Sequence, residues 1–389
     1  MNSSKKNNLF IIWIAAFLIY LSLQPYFVWK YASLMNWLVN LPLYIIFLLN
    51  ADKKNSGSTI GFLLIALVAA LNSNNSILGT FFFILGSTVF LADKSFLTEV
   101  YGKFRTIYIV TISISMVVML LVLLGISIPS EIITPVNQLK SHNYIAYPFF
   151  VIPTNSIHTA ARFCGLFDEP GVIGTTAAIF MYVEKFNLKR KGNIIILISG
   201  ILSVSLFFYA YITIFFVYKF FSTRMRFFYR LLSIAMFAFA VVFIINNEIT
   251  NELIVARLEW DADEKTISGD NRSSEDLDYY VNSIRWSEAY FFGVDDPNVL
   301  NRYRTSASLQ NVIIRYGFVV LLMYFIFYIF YAKKYIGVNM QYLFYLCSMF
   351  LFMYNRPELF NLCRNFLLVI AINNYSLHTS TRNNKLAIA

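Results

Sequence analysis

Ile107-Tyr-Ile-Val-Thr-Ile-Ser-Ile-Ser-Met-Val-Val-Met-Leu-Leu-Val-Leu-Leu-Gly-Ile-Ser127 contains no charged residue. At about 1.5 Å of helical rise per residue, such a run covers the ~30 Å hydrocarbon core of a bilayer. Further apolar runs lie near 9–27, 32–50, 58–72, 77–92, 172–186, 193–206, 208–221, 229–246, 312–332, 340–354 and 359–373. Composition points the same way. The chain is 58% hydrophobic and 13% charged, against about 25% charged in a soluble domain. A chain this apolar lacks the polar surface to cover itself in water, so lipid is its natural solvent. The expected class is an all-α polytopic membrane protein with about twelve spans. It forms a single integral membrane domain over 1–389, with a first outer loop at 128–171 and a second at 247–311.

Flanking charge orients the spans. Lys5 and Lys6, Lys53 and Lys54, Lys94, Lys103 and Arg105, Lys333 and Lys334, and Arg382 and Lys385 all fall on one side, the cytoplasmic side by the positive-inside rule. The stretch 193–221 is too short for two full spans and too long for one upright span. Lys185, Lys189, Arg190 and Lys191 precede it and Arg224, Arg226 and Arg230 follow it. Both its ends therefore belong in the cytoplasm, which implies a short hairpin turning near Ser203 and Ser205. Met1 to Asn8 is short and basic and leads into the first span; no small-residue cleavage site follows it. Both termini are expected to be cytoplasmic.

The loop 247–311 holds 13 acids and 6 bases, and the rest of the chain outside the two loops is strongly basic. The net charge of +10 is thus a topology signal, and no nucleic-acid partner is expected. Cys164, Cys347 and Cys363 have no metal or redox spacing, and His142, His158 and His378 form no ligand cluster. Neither a metal nor a cofactor is expected. The Asp-x-Asp pairs Asp261/Asp263 and Asp276/Asp278 have the types to hold Mg²⁺ beside a diphosphate, but a solvated acidic face accounts for them more simply.

Two constellations have chemical potential. The first outer loop ends in His158-Thr-Ala-Ala-Arg162-Phe-Cys-Gly165-Leu-Phe-Asp168-Glu169-Pro170-Gly171, directly before a span. Arginine offers a bidentate fork for phosphate, and glycine lets backbone approach a ligand. Asp168 or Glu169, half buried near lipid, would have a raised pKa and act as a base. The structural alternative is an ordinary helix start, with acids beside Pro at an N-terminus. The second constellation is a set of arginines. Arg315 and Arg364 lie about one turn into their helices, and Arg356 sits in the outer turn Asn355-Arg-Pro-Glu358. Each could snorkel to the interface. Yet Arg162, Arg272, Arg315, Arg356 and Arg364 share one outer boundary, which a common anionic ligand explains at once. The stretch 277–292 has helical apolar spacing and is expected to lie along the membrane surface, bringing Arg272 and Arg285 near headgroups.

The run Arg162-Phe-Cys-Gly-Leu-Phe-Asp-Glu-Pro-Gly171 resembles a signature of the O-antigen ligase/polymerase superfamily, the Wzy-type polysaccharide polymerases: Arg, two variable residues, Gly, an aromatic, then Glu-Pro before a span. The Ser-rich turn from Ser199 to Ser205 resembles that family's Ser-x-Ser hairpin. Arg272, about twenty residues before Gly293, resembles its main outer loop, and Asn311 with Gly317 resembles the start of its next span. The resemblance covers roughly residues 160–330. The ligases of this superfamily usually have a His late in the main outer loop, and Thr305 to Asn311 contains none. That favours polymerase over ligase and leaves the base unassigned, since His158 does not match the motif.

The resemblance implies a bundle of the GT-C-like, lipid-linked glycosyltransferase type in the bacterial cytoplasmic (inner) membrane. Its substrates would be an undecaprenyl-diphosphate-linked oligosaccharide donor and acceptor, joined by a metal-independent, inverting transfer into O-antigen, capsule or exopolysaccharide. Glu169, Asp168, Arg162 and Arg272 are the expected catalytic residues. Arg315, Arg356, Arg364, Arg285, His158 and Gly165 are the expected diphosphate- and substrate-binding residues. Besides the lipid bilayer, a chain-length regulator and a flippase are the partners such a role brings into view. The rival readings are a ligase of the same superfamily and a flippase or transporter of lipid-linked oligosaccharide.

Overall fold

The uncharged run at 107–127 forms the second half of α6 (Lys94–Leu123), which begins well before it. Asp93 caps this helix by accepting from the backbone N–H groups of Ser95 and Phe96. The computed structural model describes residues 8–72, 77–135, 143–154, 162–222, 246, 260–261, 266–267, 275–303 and 308–373. His158, Arg272 and all but the last residue of the expected span at 229–246 lie outside these residues.

Before α6 come α1 (Leu9–Leu21), α2 (Leu41–Leu49), α3 (Ser56–Asn72), α4 (Ile77–Gly86) and α5 (Thr88–Leu91). The segment between α6 and α7, expected to be the first outer loop, holds β1 (Glu131–Ile133), β2 (Tyr144–Tyr147) and β3 (Phe150–Pro153), paired antiparallel in that order. Then follow α7 (Pro170–Val183), α8 (Asn193–Leu202) and α9 (Leu206–Ser222). The segment expected to be the second outer loop carries the strand pair β4 (Trp260–Asp261) and β5 (Thr266–Ile267), then α10 (Glu275–Ser283), α11 (Glu288–Phe292) and α12 (Pro297–Arg302). The chain continues through α13 (Leu309–Ile336), α14 (Met340–Asn355) and α15 (Leu362–Asn373).

The chain is predominantly helical, but the all-α expectation needs correcting in the loops. There the backbone runs extended, and its polar groups pair as short antiparallel strands. The span count also changes. Three described helices are long and apolar enough to cross a membrane: Lys53–Leu71, Lys94–Leu123 and Leu309–Ile336. A fourth is possible if Leu9–Leu21 and Tyr26–Ala32, bent by 80°, form one span. Several other expected spans appear as helices of 10–17 residues, among them Asn36–Leu49, Thr80–Leu91, Pro170–Val183 and Leu362–Asn373. Such helices rise only about 15–26 Å. Local breaks shorten them: Gln24 takes φ +58 just before Pro25, and α4 ends one residue before Ser87. Hydropathy registers apolar content but not these interruptions.

α7 is the central helix. Every residue from Ile173 to Val183 is buried, as expected of a helix enclosed by its neighbours on all sides. It packs on α8 and α9, while α1 packs on α6, α3 on α13, and α9 on α14. By contrast, α6 exposes Val110, Ile114, Val117 and Leu120, and α13 exposes Leu322, Ile326 and Phe330. These three-to-four-residue spacings form apolar stripes suited to lipid. Between α8 and α9 the chain turns at 203–205, with Val204 at φ +45. A Cβ on Gly200 would lie 2.7 Å from Cε1 of Phe208. In one straight helix those residues stand about 12 Å apart, so the chain doubles back. The same turn presses on α7: a Cβ on Gly174 would meet the Ser205 hydroxyl at 2.7 Å and that of Ser203 at 3.0 Å.

A buried ionic clamp fixes the far end of α7. Glu184 accepts from the Tyr101 hydroxyl at 2.9 Å, pairs with Arg190, and lies 3.4 Å from Nε of Arg105. Arg105 also donates to the Lys191 carbonyl at 2.8 Å and to Asn193. Removing one partner of such a buried group strands the other charge. Glu184→Gln is expected to lower stability by about 3–5 kcal/mol, and the Glu184→Gln/Arg105→Gln double variant by less than the sum of the two singles. Thermal midpoints of the detergent-purified variants check this. Additive losses would mean that the two side chains are not coupled.

Candidate functional site

The run 162–171 wraps the N-terminal head of α7. Gly165 takes φ +59, a conformation that favours glycine, and a Cβ there would lie 3.0 Å from Cδ1 of Ile173. Its carbonyl accepts from the Val151 N–H at 2.9 Å, and the Leu166 carbonyl accepts from the Tyr26 N–H at 2.8 Å. The Tyr144 hydroxyl donates to the Asp168 carbonyl at 2.6 Å. The three-stranded sheet therefore holds the run in place. Gly165 has this backbone role, and no ligand contact is needed to explain it.

Glu169 is the N-cap residue of α7, with Pro170 at the first helical position, but its side chain does not cap the helix. Instead it forms an ion pair with Arg356. Its side chain is 45% exposed, so the pair remains accessible. Burial works against the charge of Arg356. Glu169, then Glu358 and Asp168, outweigh burial and hold the guanidinium above the ordinary arginine range.

Around this pair the chain is polar and closely ordered. Asn355, the last residue of α14, donates from Nδ2 to Thr175 Oγ1 at 2.6 Å, and Thr175 donates to the Gly171 carbonyl at 2.8 Å. Gly171 gives Arg356 room: a Cβ there would stand 3.4 Å from Nη2. Arg364, in the first turn of α15, lies 3.5 Å from Glu358. Its Nη1 is buried with no hydrogen-bond partner among the described residues. Below it, Asn365 accepts from the hydroxyls of Tyr324 and Tyr328 at 2.8 and 2.7 Å and donates to the Leu359 carbonyl at 2.9 Å. This hub locks α13 to α15 just beneath Arg364.

Not all the expected arginines converge. Arg162 lies on the other flank of the run, where Nη2 donates to the Val204 carbonyl at 3.4 Å, and the Phe163 N–H donates to the Leu202 carbonyl at 3.0 Å. The first-loop run and the serine turn thus meet at the head of α7. Arg315 donates from Nε to Asn311 at 2.9 Å. It sits two residues before a break in α13 at Gly317 (φ 86, ψ 157), not one turn inside an unbroken span. The neighbouring Tyr316 ring packs on Phe360 of the Arg356 turn at 5.6 Å. Arg285 does not join the group: its guanidinium lies over Trp286, 5.6 Å from the ring centroid. Asp276 pairs with Arg302 at 2.6 Å, and Asp278 accepts from Gln310 at 3.0 Å, so the second Asp-x-Asp pair is engaged in loop structure.

Beside the run, an open groove of about 630 Å³ lies between the sheet and the start of the Tyr26 turn, lined by Tyr26, Phe27, Glu131, Tyr147, Phe149 and Leu166 among others. Aromatic rings beside a carboxylate are a surface suited to sugar rings. Comparison with protein-family models, with curated proteins and with solved structures finds no match for this chain. The chemistry of the site therefore rests on its geometry.

Residues that the sequence reading passed over carry much of this arrangement: Glu358, Asn355, Thr175 and Asn365 here, and Glu184 at the far end of α7. A signal was present for two of them. Only five acids lie outside the two outer loops, and Glu184 and Glu358 are among them.

Proposed function

We propose that this chain is a polysaccharide repeat-unit polymerase of the bacterial inner membrane, with a GT-C-like helical bundle and both termini cytoplasmic. The observation that carries the reading is the Glu169–Arg356 pair at the outer head of α7, with the Arg364 guanidinium close behind it. A carboxylate and guanidinium groups side by side supply what glycosyl transfer from a lipid diphosphate needs. The acceptor hydroxyl oxygen attacks the anomeric carbon of the donor sugar. The bond from that carbon to the diphosphate oxygen breaks, and undecaprenyl diphosphate leaves with the electron pair. Glu169, or Asp168 beside it, takes the hydroxyl proton. Arg356 and Arg364, with Arg162, Arg315 and Arg272 as further candidates, balance the charge developing on the leaving group. His158 and Arg285 keep only the support of residue type. The groove beside the run has the size and lining for part of a glycan.

The test is the lipid-linked profile of a deletion strain complemented with wild-type, Arg162→Ala or Arg272→Ala protein. Single repeat units should accumulate in the deletion strain, and neither variant should restore long polymer at equal protein level. Normal chain length from either variant removes that arginine's role. Finished lipid-linked polymer in the deletion strain would identify a ligase. Repeat units held on the cytoplasmic face would identify a flippase.

A further inference from the structure

The second outer loop contains a short apolar segment whose position the glycan chemistry does not explain. Beyond the break at Gly317, α13 has no charge from Phe318 until Lys333 and Lys334. Phe318 therefore marks the outer end of the apolar stretch, and it begins the spacing continued by exposed Leu322, Ile326 and Phe330. α11 is seated at this point. The Tyr290 ring stacks on Phe318 at 5.4 Å, with Phe291 at 6.4 Å. The Phe291 carbonyl occupies the space a Cβ on Gly317 would fill.

Trp286 and Phe292, at the two ends of this segment, are 70% and 49% exposed. Trp286 adopts φ +67 in the link between α10 and α11, a conformation costing a bulky residue roughly 1–2 kcal/mol. It lies outside the core of Leu277, Val281, Val294, Tyr303 and Ile314, with the Tyr290 and Phe291 rings of α11 6.1 Å away on one side. This also corrects the expectation for 277–292. The apolar face of α10 turns inward through Leu277 and Val281, and from Arg285 onward Trp286 and Phe292 offer apolar surface outward.

We infer that the segment 285–292 is a lipid-seated foot, with the Trp286 indole and Phe292 ring inserted at the outer leaflet interface and Arg285 at headgroup level. An exposed indole beside a guanidinium suits that boundary, where one end meets hydrocarbon and the other meets water and phosphate. The foot continues the lipid-facing stripe of α13. It fixes the height of the second outer loop, and so of α10 to α12, above the membrane. The inference needs the chain to be membrane-embedded but does not depend on the polymerase reading.

The experiment compares wild-type protein with Trp286→Gly in nanodiscs of phosphatidylglycerol and phosphatidylcholine, with and without phosphatidylcholine brominated near the glycerol end of the acyl chain. Glycine suits the positive φ, so this variant should fold. The difference in emission between the two proteins reports Trp286. It should be blue-shifted, fall roughly twofold or more with the brominated lipid, and resist aqueous iodide. A variant retaining only Trp286, with Trp13, Trp29, Trp37 and Trp260 changed to Phe, gives the same reading directly and serves if Trp286→Gly does not fold. Red-shifted emission quenched by iodide and indifferent to brominated lipid, in either variant, overturns the foot. A Trp286 contacting another protein would instead be shielded from both quenchers, which overturns it equally.

Discussion

Arg356→Ala is expected to reduce glycan transfer by ~10²–10³-fold, the range seen when a preorganised charge-stabilising donor is removed. Purified protein with lipid-linked repeat units, read as the distribution of product lengths, provides the measurement. The side chain is positioned for such an effect, since it lies between Glu169, Glu358 and Asp168 and beside Gly171 at the head of α7. A purely structural role is the competing explanation, because the pair also ties the run 162–171 to the turn between α14 and α15. The double variant Glu169→Arg/Arg356→Glu separates the two. If the pair only holds the helices together, reversing it should restore both stability and polymer. If it performs the chemistry, the thermal midpoint should recover relative to either single variant while polymer stays absent. Polymer from the double variant would retire Glu169 as base and Arg356 as diphosphate ligand.

Gly317→Ala should be the most destabilising single methyl addition in α13, at about 3–5 kcal/mol. Two effects combine there. The backbone sits at φ +86, and a Cβ would stand 2.7 Å from the carbonyl carbons of Phe291 and Phe292 and closer still to the Phe291 oxygen. Neither carbonyl can move without displacing α11. Gly337 provides the control, since it also has positive φ (+74) but open space around it. Gly337→Ala should cost only the backbone term, roughly 1–2 kcal/mol. Thermal midpoints of the two variants, measured side by side in detergent, should therefore differ clearly. Equal shifts would mean that the close approach of α11 is absent in solution.

Legibility of the fold in the sequence followed the range of the interactions. The α6 run could be read directly, because an uncharged stretch of that length needs only its own helical hydrogen bonds and an apolar solvent. The turn at 203–205 followed from flanking charge. The break at Gly317 was not visible, because the apolar pattern continues through it. What requires that glycine is a carbonyl from α11, a tertiary contact. The same holds for the site. Glu169 and Arg356 were each picked out by residue type and place, but they are 187 positions apart, and no local pattern pairs them. Arg162 and Arg285 were grouped with the other arginines on chemistry alone, and the packing sends them elsewhere. The shortened helices have the same origin: hydropathy averages over a window, whereas a left-handed residue such as Gln24 ends a helix at one position.

α7 has only 14 residues, a rise of about 21 Å, and each of its ends carries an ion pair. The hydrocarbon of a bilayer is about 30 Å thick. If α7 crosses the membrane, its two ends cannot both reach the surfaces of a flat bilayer, and at least one lies below headgroup level, enclosed by the neighbouring helices. If the Glu169 end is the recessed one, a soluble sugar phosphate would have to shed its hydration to reach Arg356. A molecule anchored by a long hydrocarbon tail already lies at that depth and can arrive sideways. The brevity of one helix would then act as a filter, admitting glycans by the tail they carry before any sugar is recognised.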